Sequence, residues 1–491
     1  MALQERATTH RRTELAPAVR HKIDVALMAA LAAAAYAVLG LVKLRTFRAT
    51  TFDLVIFDQA VRGYAGFGPP TVPAVGVYRG LGLDALQLAD HFSPILAVLA
   101  PLYWLHDGPV TLILAQSLLL AAAIPPLWLF TRAKLGTTAA YLVVVAYASS
   151  GAVAQAAGFD FHEVAFVPIL TAVTIERFER GKAWHGALAA AALLLVKEDM
   201  GLLVAGFGCY LLATRRWRYG AGFVAGGVGA IALIRYILTP AVGGDPATHW
   251  TFNHLGTSVT GLVKTMVTDP GLVLSTLIDP DVKVDTMLGL AGPLAVACLL
   301  SPLILPAVPL ILERMLSDRP FWWTDDYQYN AFIIVIVICA AVDGAARFQR
   351  WVQKRNGGEG RTVGLVWAAA VCGMSLALTP QNYFGQLVEP SFYRGDQATI
   401  EAARAAVDVV PDGALVEVAN RLGPALTSRA TVLLWEPRPH GAPWVVADTG
   451  NISYPFGSVE DQQKRVLDLK HAGYRIVHEE GSYVVLHRLG R

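Results

Sequence analysis

Two carboxylates stand out in the stretch from Thr51 to Gly68, TFDLVIFDQAVRGYAGFG, which follows the first long apolar run. Asp53 and Asp58 lie there among aromatic and aliphatic residues. If the stretch is helical, it would lie on a membrane surface, with its aromatic side chains inserted and its acids at the water edge. A carboxylate held there could act on a lipid-linked substrate. The competing interpretation is an amphipathic connector whose acids are merely solvated.

Three more polar clusters follow, each at the end of an apolar segment. They are Asp90-His91, Asp160 with His162-Glu163, and Lys197-Glu198-Asp199. Ionisable groups at membrane depth are costly, and they usually face a cavity and serve a function there. Taken alone, Lys197 and its neighbouring acids are better explained as groups that neutralise one another. Together with the first stretch, however, the clusters predict one polar cavity that is open to the outside.

Such a cavity suits two kinds of chemistry. In an enzyme, a carboxylate can act as a general base on a sugar hydroxyl while cations hold a phosphate leaving group. Asp53 or Asp58 would then be the base, Lys197 or Arg62 would bind the phosphate, and the other cluster residues would form the cavity wall. In a transporter, acids and histidines would relay protons or bind a cation.

A divalent cation is the one cofactor that these residues suggest. Hard cations prefer oxygen ligands, and Asp90-His91 could share an ion with Asp160 and His162 if the fold brings them together. The spacing alone does not identify the metal ligands. For each histidine, a hydrogen-bonded structural imidazole is the more common role.

The composition is that of a polytopic membrane protein. Hydrophobic residues make up 54% and charged residues 16% of the chain, and the mean hydropathy is +0.46. Soluble chains carry about 25% charged residues. The net charge of +2 gives no case for nucleic-acid binding. The four cysteines lie in apolar runs, so a disulfide framework or a cysteine metal site is not expected.

Basic residues set the predicted topology. The tail, residues 1–22, contains Arg11 and Arg12 and is expected in the cytoplasm, ahead of a first span at residues 23–42. Alternating apolar runs with basic turns, the strongest from Arg347 to Arg361, predict about eleven spans within residues 23–380. The large outer loops would be residues 43–91 and 240–285, and residues 93–105 are too short to span.

The remainder, residues 381–491, has the composition of a soluble domain. Strand patterns at residues 415–418, 431–434, 444–447, 474–477 and 483–487, with helical patterns at 396–409 and 459–471, predict a small α/β domain. The topology places this domain outside the cytoplasmic membrane.

Four runs in order, FDLVIFDQAVRG, DHFSPILAVLAPLYWL, GFDFHEVAFVPIL and LLLVKEDMGLLV, resemble the bacterial membrane family called domain of unknown function 2079. YQYNAFIIVIVICAAVDGAAR and VPDGALVEVANRLGPALTSR are also similar to it. More distantly, the chain resembles polytopic glycosyltransferases of the C type, which use polyprenyl-phosphate sugars. That resemblance implies an essential acid in the first outer loop, with Asp53 as the first candidate and Asp58 as the second. The chain lacks the Asp-Asp or Glu-x-Asp pair of many such loops, so the choice between the two acids stays open.

The preferred prediction is a membrane glycosyltransferase that moves a sugar from a polyprenyl-phosphate donor to a cell-envelope acceptor. Its partners would be membrane lipids and the lipid-linked donor. A transporter or flippase of a lipid-linked or small polar substrate is the alternative. It is disfavoured because the chain shows no inverted repeat of broken helices and its polar groups gather at one face. A scaffold whose outer domain binds a partner is the third possibility.

Overall fold

A computed structural model describes residues 17–356, 360 and 362–488. Most of the predicted basic tail and Arg361 therefore lie outside the described residues. The described chain is mainly helical and ends in a small sheet domain, as the sequence predicts.

Within the part of the chain that the structure describes, five helices are long and apolar enough to cross a membrane. They are Val19–Arg45, Pro109–Leu135, Trp217–Ala241, Ala331–Arg355 and Val363–Gln381. A sixth candidate consists of Thr137–Ala148 and Gly151–Gly158, which meet at a bend of 42° where one continuous span was predicted. The predicted apolar helical bundle is therefore present.

The predicted number of about eleven spans exceeds these five or six, because other apolar runs form shorter helices. Phe166–Glu179, Ala183–Leu193 and Met200–Ala213 contain 14, 11 and 14 residues. Helices of that size are about 17 to 21 Å long, whereas a bilayer core is about 30 Å thick. The predicted pair at 286–300 and 302–312 folds as Val282–Ala291, three 3₁₀ turns and Val308–Leu316. Prolines cause these breaks because they lack the backbone N–H that continues a helix.

The helix Ala331–Arg355 forms the centre of the bundle. Every residue from Ala331 to Ala346 is buried. Gly344 permits the closest approach, because a Cβ there would collide with the carbonyl of Ala297. A helix that is apolar all round is expected to be buried in this way.

The two large loops of the prediction fold into short helices. The first contains a π-helical turn, Thr51–Val55, and the helices Ile56–Ala65, Pro73–Tyr78 and Gln87–Asp90, followed by the short segments Pro94–Leu99 and Ala100–Tyr103. The second contains Thr239–Ala241, Val259–Thr268 and Pro270–Ile278. Pro320–Trp323 lies between Val308–Leu316 and the central helix.

The stretch from Thr51 to Gly68 is helical as far as Ala65, and its middle is covered by the protein itself, so its acids are not simply solvated. All residues from Ile56 to Val61 are buried. Gln59 donates a hydrogen bond to the carbonyl of Val432 in the C-terminal domain at 2.9 Å. The stretch is covered because the C-terminal domain packs over it.

The C-terminal domain is an α/β unit with a five-stranded sheet. Its strands are β1 Leu415–Val418, β2 Thr431–Leu434, β3 Trp444–Asp448, β4 Tyr474–Glu480 and β5 Tyr483–Arg488. Their order is β2-β1-β3-β5-β4, with parallel pairing among the first three and antiparallel pairing of β3 with β5 and of β5 with β4. The helices are Pro390–Arg394, Gln397–Asp408 and Val459–His471. All five predicted strands and both predicted helices are present.

Candidate functional site

Asp53 lies in the π-helical turn Thr51–Val55, and a second acid fixes the start of that turn. Asp160 accepts hydrogen bonds at Oδ2 from the backbone N–H and the hydroxyl of Thr50, at 2.7 and 2.6 Å. A carboxylate at this position satisfies backbone donors that a helix start leaves free. The π-helical geometry, which is rare and occurs mostly at functional sites, is therefore supported from outside the turn.

The C-terminal domain provides a second anchor for the same turn. Asn420 Oδ1 accepts from the backbone N–H groups of Thr51 and Phe52, both at 3.1 Å. The hydroxyl of Thr51 donates to the Asn420 carbonyl at 2.8 Å. A Cβ at Gly423 would collide with Thr51, so glycine permits this approach.

The Asp53 carboxylate is half-buried and unpaired. Among the described residues, none donates a hydrogen bond to its side chain or forms an ion pair with it. Burial raises its pKa to about 6, with a smaller lowering by His162 and small raising effects from Asp160 and Glu163. Lys197 acts on it as well and favours the charged form. Asp53 is thus close enough for the charges of residues from two other predicted clusters to shift its pKa.

Asp58, by contrast, is fully paired. Its carboxylate accepts from the hydroxyls of Tyr103 and Thr427, both at 2.8 Å, and Arg62 Nη2 lies 2.7 Å away. Arg62 also donates from Nε to Asp107 at 2.9 Å. Burial raises the pKa of Asp58, and Arg62 opposes this shift. Asp58 and Arg62 therefore form a cluster separate from Asp53.

The predicted cluster of Asp160, His162 and Glu163 contains two arrangements. Asp160 holds the Thr50 donors and lies 3.7 Å from Nζ of Lys43. His162 Nδ1 lies 2.6 Å from Oε2 of Glu163, which is fully buried. Burial opposes the ionisation of Glu163, but His162 and Lys197 outweigh it, so its pKa is lowered.

Lys197 connects these groups to the next cluster. Its ammonium lies 3.8 Å from Glu163 Oε1 and 4.0 Å from Asp199 Oδ2, beyond hydrogen-bond distance of either. Burial alone would lower the pKa of Lys197, but Asp199 and Glu163 raise it above its ordinary value. Lys197 is consequently a cation whose N–H donors are free for another group.

Asp90, His91 and His249 form a cluster that could hold a metal ion. One potential ligand atom from each lies within 4.8 Å of the others, and the two imidazoles stack with centroids 4.2 Å apart. Glu198 Oε1 lies 2.8 Å from His91 Nδ1, so it orients that ring, while Arg79 pairs with Asp90. The Nδ1 of His249 is buried and has no hydrogen-bond partner among the described residues. A carboxylate with two imidazoles fits a divalent transition metal.

These polar groups border an apolar cavity of about 390 Å³, which we call the lipid cavity. Aliphatic side chains from several helices form much of its wall, including Leu202, Ile231, Leu262 and Leu312. Lys197 and the Asp90 cluster lie on it as well. A cavity with apolar walls and a few convergent charges is typical of a site for an amphipathic ligand.

Four further ionisable residues in the described lining of the lipid cavity were missing from the predicted site. They are Arg235, Asp245, His249 and Glu313. Arg235 lies in a second π-helical turn, Ile234–Leu238, with its guanidinium 5.4 Å from the ring centre of Trp250. No described carboxylate lies within 4.0 Å of it. The only sign of Arg235 in the sequence was its position as a charged residue near the end of an apolar helix, where ionisable groups are often functional.

Two solved structures of ArnT from Cupriavidus metallidurans are similar to this fold. The structure bound to undecaprenyl phosphate has 13% sequence identity and a TM-score of 0.55, over 96% of this chain and 98% of that one. The apo structure has 15% identity and a TM-score of 0.53 over the same shares. At these identities the likeness establishes the fold alone, and the chain shares that fold with ArnT. No curated protein sequence matches this chain.

The chain belongs to the family of predicted membrane proteins called DUF2079, whose family model matches residues 43–482. The match begins before Asp53 and includes all four predicted clusters and four of the five strands of the C-terminal sheet, ending just before β5. The protein is accordingly a membrane protein.

Proposed function

We propose that this protein is a C-type glycosyltransferase that moves a sugar from a polyprenyl-phosphate donor to an acceptor hydroxyl. The observation that carries the proposal is the half-buried, unpaired carboxylate of Asp53, whose pKa is raised to about 6. Such a group is ionised at neutral pH and basic enough to accept a proton in the transition state. Asp58 lacks this freedom because its oxygens are already bonded. We therefore assign the general base to Asp53.

The lipid cavity supports a polyprenyl-phosphate donor. Its aliphatic wall fits an isoprenoid chain, and the cations Lys197 and Arg235 are available for the phosphate. A cation positioned where charge develops on a leaving group stabilises the transition state. ArnT, which shares the fold, binds undecaprenyl phosphate.

The proposed reaction is a single displacement. The acceptor oxygen attacks the anomeric carbon of the donor sugar and forms a glycosidic bond, while Asp53 takes the hydroxyl proton. The bond between the anomeric carbon and the phosphate oxygen breaks, and polyprenyl phosphate leaves with the electron pair. Lys197 lies between the base and the lipid cavity, because it acts on Asp53 and also lines the cavity.

A divalent cation fits the cluster of Asp90, His91 and His249. When bound, it would neutralise phosphate charge next to Lys197. Glu198 keeps the His91 ring oriented for this role. We expect chelation to weaken donor binding, and the His249→Ala variant to be insensitive to the chelator.

We further propose that the Asp53 end of the bundle and the C-terminal domain face away from the cytoplasm. The sequence places basic turns, including Arg215 and Arg347, at the other ends of the helices, as the positive-inside rule requires. A reporter fused after Arg491 should be active outside the cytoplasmic membrane. Activity in the cytoplasm alone would reverse this orientation.

The direct test is turnover of polyprenyl-phosphate sugars by purified protein in lipid nanodiscs. The Asp53→Asn variant keeps size and polarity but removes the base, so transfer should fall by roughly 10²- to 10⁴-fold with unchanged thermal stability. Asp58→Asn is the matched control. It should lower thermal stability while the folded fraction still transfers sugar.

Transfer by Asp53→Asn at the wild-type rate would refute the assignment of the base. Movement of a labelled donor lipid between leaflets, with no new glycosidic bond, would instead identify a flippase.

A further inference from the structure

A second cavity, of about 300 Å³, lies elsewhere in the bundle and shares no lining residue with the lipid cavity. It is enclosed by the bent pair Thr137–Ala148 and Gly151–Gly158, by Val282–Ala291, and by the helices Ala331–Arg355 and Val363–Leu378. We call it the amide cavity, because amide side chains form its polar end. Those side chains are Gln155, Asn330, Gln381 and Asn382.

Two of these amides are not satisfied within the protein. Gln155 Oε1 and Asn382 Nδ2 are buried and have no hydrogen-bond partner among the described residues. The oxygen of Asn382 is already occupied, since it accepts from the backbone N–H of Phe384 at 2.9 Å. Both residues line the cavity, and each keeps one unused hydrogen-bonding atom. Buried polar groups are nearly always bonded, so these two amides retain capacity for a ligand or a water molecule.

The charges of the amide cavity differ from those of the lipid cavity. No lysine or arginine of the described chain lines it, and Asp325 is its one charged residue. Arg314 donates to Asn330 Oδ1 at 2.7 Å from behind the wall, but its guanidinium is already bonded to Asn330 and to three backbone carbonyls. A phosphate head group would therefore meet the Asp325 carboxylate and no cation on the described cavity surface. Amides donate and accept hydrogen bonds in adjacent pairs, as the hydroxyl groups of a sugar do. The polar end thus fits an uncharged head group rich in hydroxyls.

The rest of the amide cavity is apolar. Val143, Ile334, Ile338 and Val371 form its wall between the helices. A soluble sugar would leave this surface unused, whereas a lipid would place a hydrocarbon chain against it. The occupant therefore has both a polar head and an apolar tail.

A short turn separates the two cavities. Asn330 lines the amide cavity, while its neighbour Tyr329 lines a small recess together with Lys197 and His162. The charge of Asp53 acts on Tyr329, so the proposed base lies near this turn.

We propose that the amide cavity binds the acceptor, and that the acceptor is a neutral glycolipid. This inference rests on the proposed transferase function. One head-group hydroxyl would extend past Asn330 and give its proton to Asp53, while the amides hold the remaining hydroxyls.

Binding can be measured without turnover, by native mass spectrometry of the full chain in detergent micelles. The probe is monoglucosyl diacylglycerol, with phosphatidylglycerol and diacylglycerol as comparison lipids. We expect the glycolipid to bind more tightly than either. Gln155→Leu and Asn382→Leu should each weaken its binding roughly tenfold, the loss typical of one hydrogen bond to a buried group.

Gly289→Leu provides a variant that breaks no hydrogen bond. Gly289 lines the amide cavity, and a Cβ there meets open space, so a leucine would occupy the cavity without disturbing the fold. It should reduce glycolipid binding and leave the binding of undecaprenyl phosphate unchanged. Lys197→Met should reduce the binding of undecaprenyl phosphate and leave glycolipid binding unchanged.

Equal binding of the three lipids, or glycolipid binding that survives all three cavity substitutions, would overturn the inference. If the protein transfers sugar but those substitutions do not change glycolipid binding, the proposed function is retained and the amide cavity is not the acceptor site. If the glycolipid binds as expected but no donor sugar is ever transferred, the site stands as a lipid site and the transferase proposal falls.

Discussion

Two clusters of ionisable residues lie at opposite ends of the helical bundle, and they differ in how completely they are paired. The helix Pro109–Leu135 links the two ends. It begins beside the C-terminal domain, where Gly108 approaches Ser428, and ends at Lys134. At 1.5 Å per residue, a helix of this length covers about 40 Å.

The cluster around Lys134 uses nearly all its hydrogen-bonding capacity. Lys134 donates to Glu179 at 2.7 Å and to Asp343 at 2.9 Å. Asp343 also accepts from Arg347 Nε at 2.6 Å and from the Ser301 hydroxyl at 2.7 Å. Three helices and the turn at Ser301 are joined by these bonds, so we interpret this Lys134 network as structural.

Among the described residues, the central groups of the cluster at the other end make no side-chain hydrogen bonds, although Lys197 lies within ion-pair distance of Glu163 and Asp199. Asp53 has no partner among the described residues, and Lys197 keeps 3.8 Å from its nearest carboxylate oxygen. Charges that are buried without partners are destabilising unless a ligand compensates them. The comparison suggests that paired ionisable groups in this bundle maintain the fold, whereas unpaired ones are available to substrate.

The largest expected effect concerns the paired cluster. Asp343→Ala would leave Lys134 and Arg347 without their shared acceptor, and breaking a buried ion pair costs about 3–5 kcal/mol. We expect a strongly lowered midpoint of thermal unfolding in detergent, but near-normal turnover per folded molecule. Asp53→Ala should instead keep a near-normal unfolding midpoint and lose most of its turnover. Equal losses of stability in the two variants would remove the distinction between the clusters.

A smaller effect is expected at Lys197, whose ammonium donates no hydrogen bond within the described chain. Lys197→Met keeps much of the side-chain length but removes the charge proposed to bind phosphate. A hydrogen bond to a charged group contributes about 1.5–3 kcal/mol, so the KM for the donor should rise roughly 10- to 100-fold. The matched control is Lys182→Met, because Lys182 is an exposed lysine at the other end of the helices. An unchanged KM in Lys197→Met would show that the ammonium does not contact the donor.

The smallest effect is the pH dependence of turnover. Because burial raises the pKa of Asp53 to about 6, its ionised fraction falls about tenfold per pH unit below that value. The base acts only when ionised, so kcat/KM should rise with pH through about 6 and level off above 7. Asp53→Asn should lack this acid limb. A limb near pH 4 would indicate a solvated carboxylate instead.

Local patterns were enough to predict much of the fold. The helix Val459–His471 has the predicted bounds, and β1 and β2 begin and end where the sequence indicates. Alternating burial in a strand and the 3.6-residue period of a helix are properties of neighbouring residues, so they appear in a single sequence. The count of spans was less predictable, because several apolar runs form helices of only 11 to 14 residues and the run at 286–312 is broken by prolines.

Pairing between distant segments was not predictable. His249 joins Asp90 across 159 positions, and Thr427 bonds Asp58 across 369. The sequence singled out Asp53 and Asp58 alike, and only these long-range contacts separate a bonded acid from a free one. Asp343 was part of a predicted span, and its role depends on Lys134, 209 positions earlier.

The hydrogen bonds from Thr51 and Phe52 to Asn420 have a consequence for biogenesis. Ribosomes make Thr51 early, whereas Asn420 follows 369 positions later. A nascent chain therefore inserts its acid-bearing turn long before the anchor for that turn exists. Completion of the turn depends on a late-synthesised domain, so incomplete chains in the membrane lack the finished turn that carries Asp53.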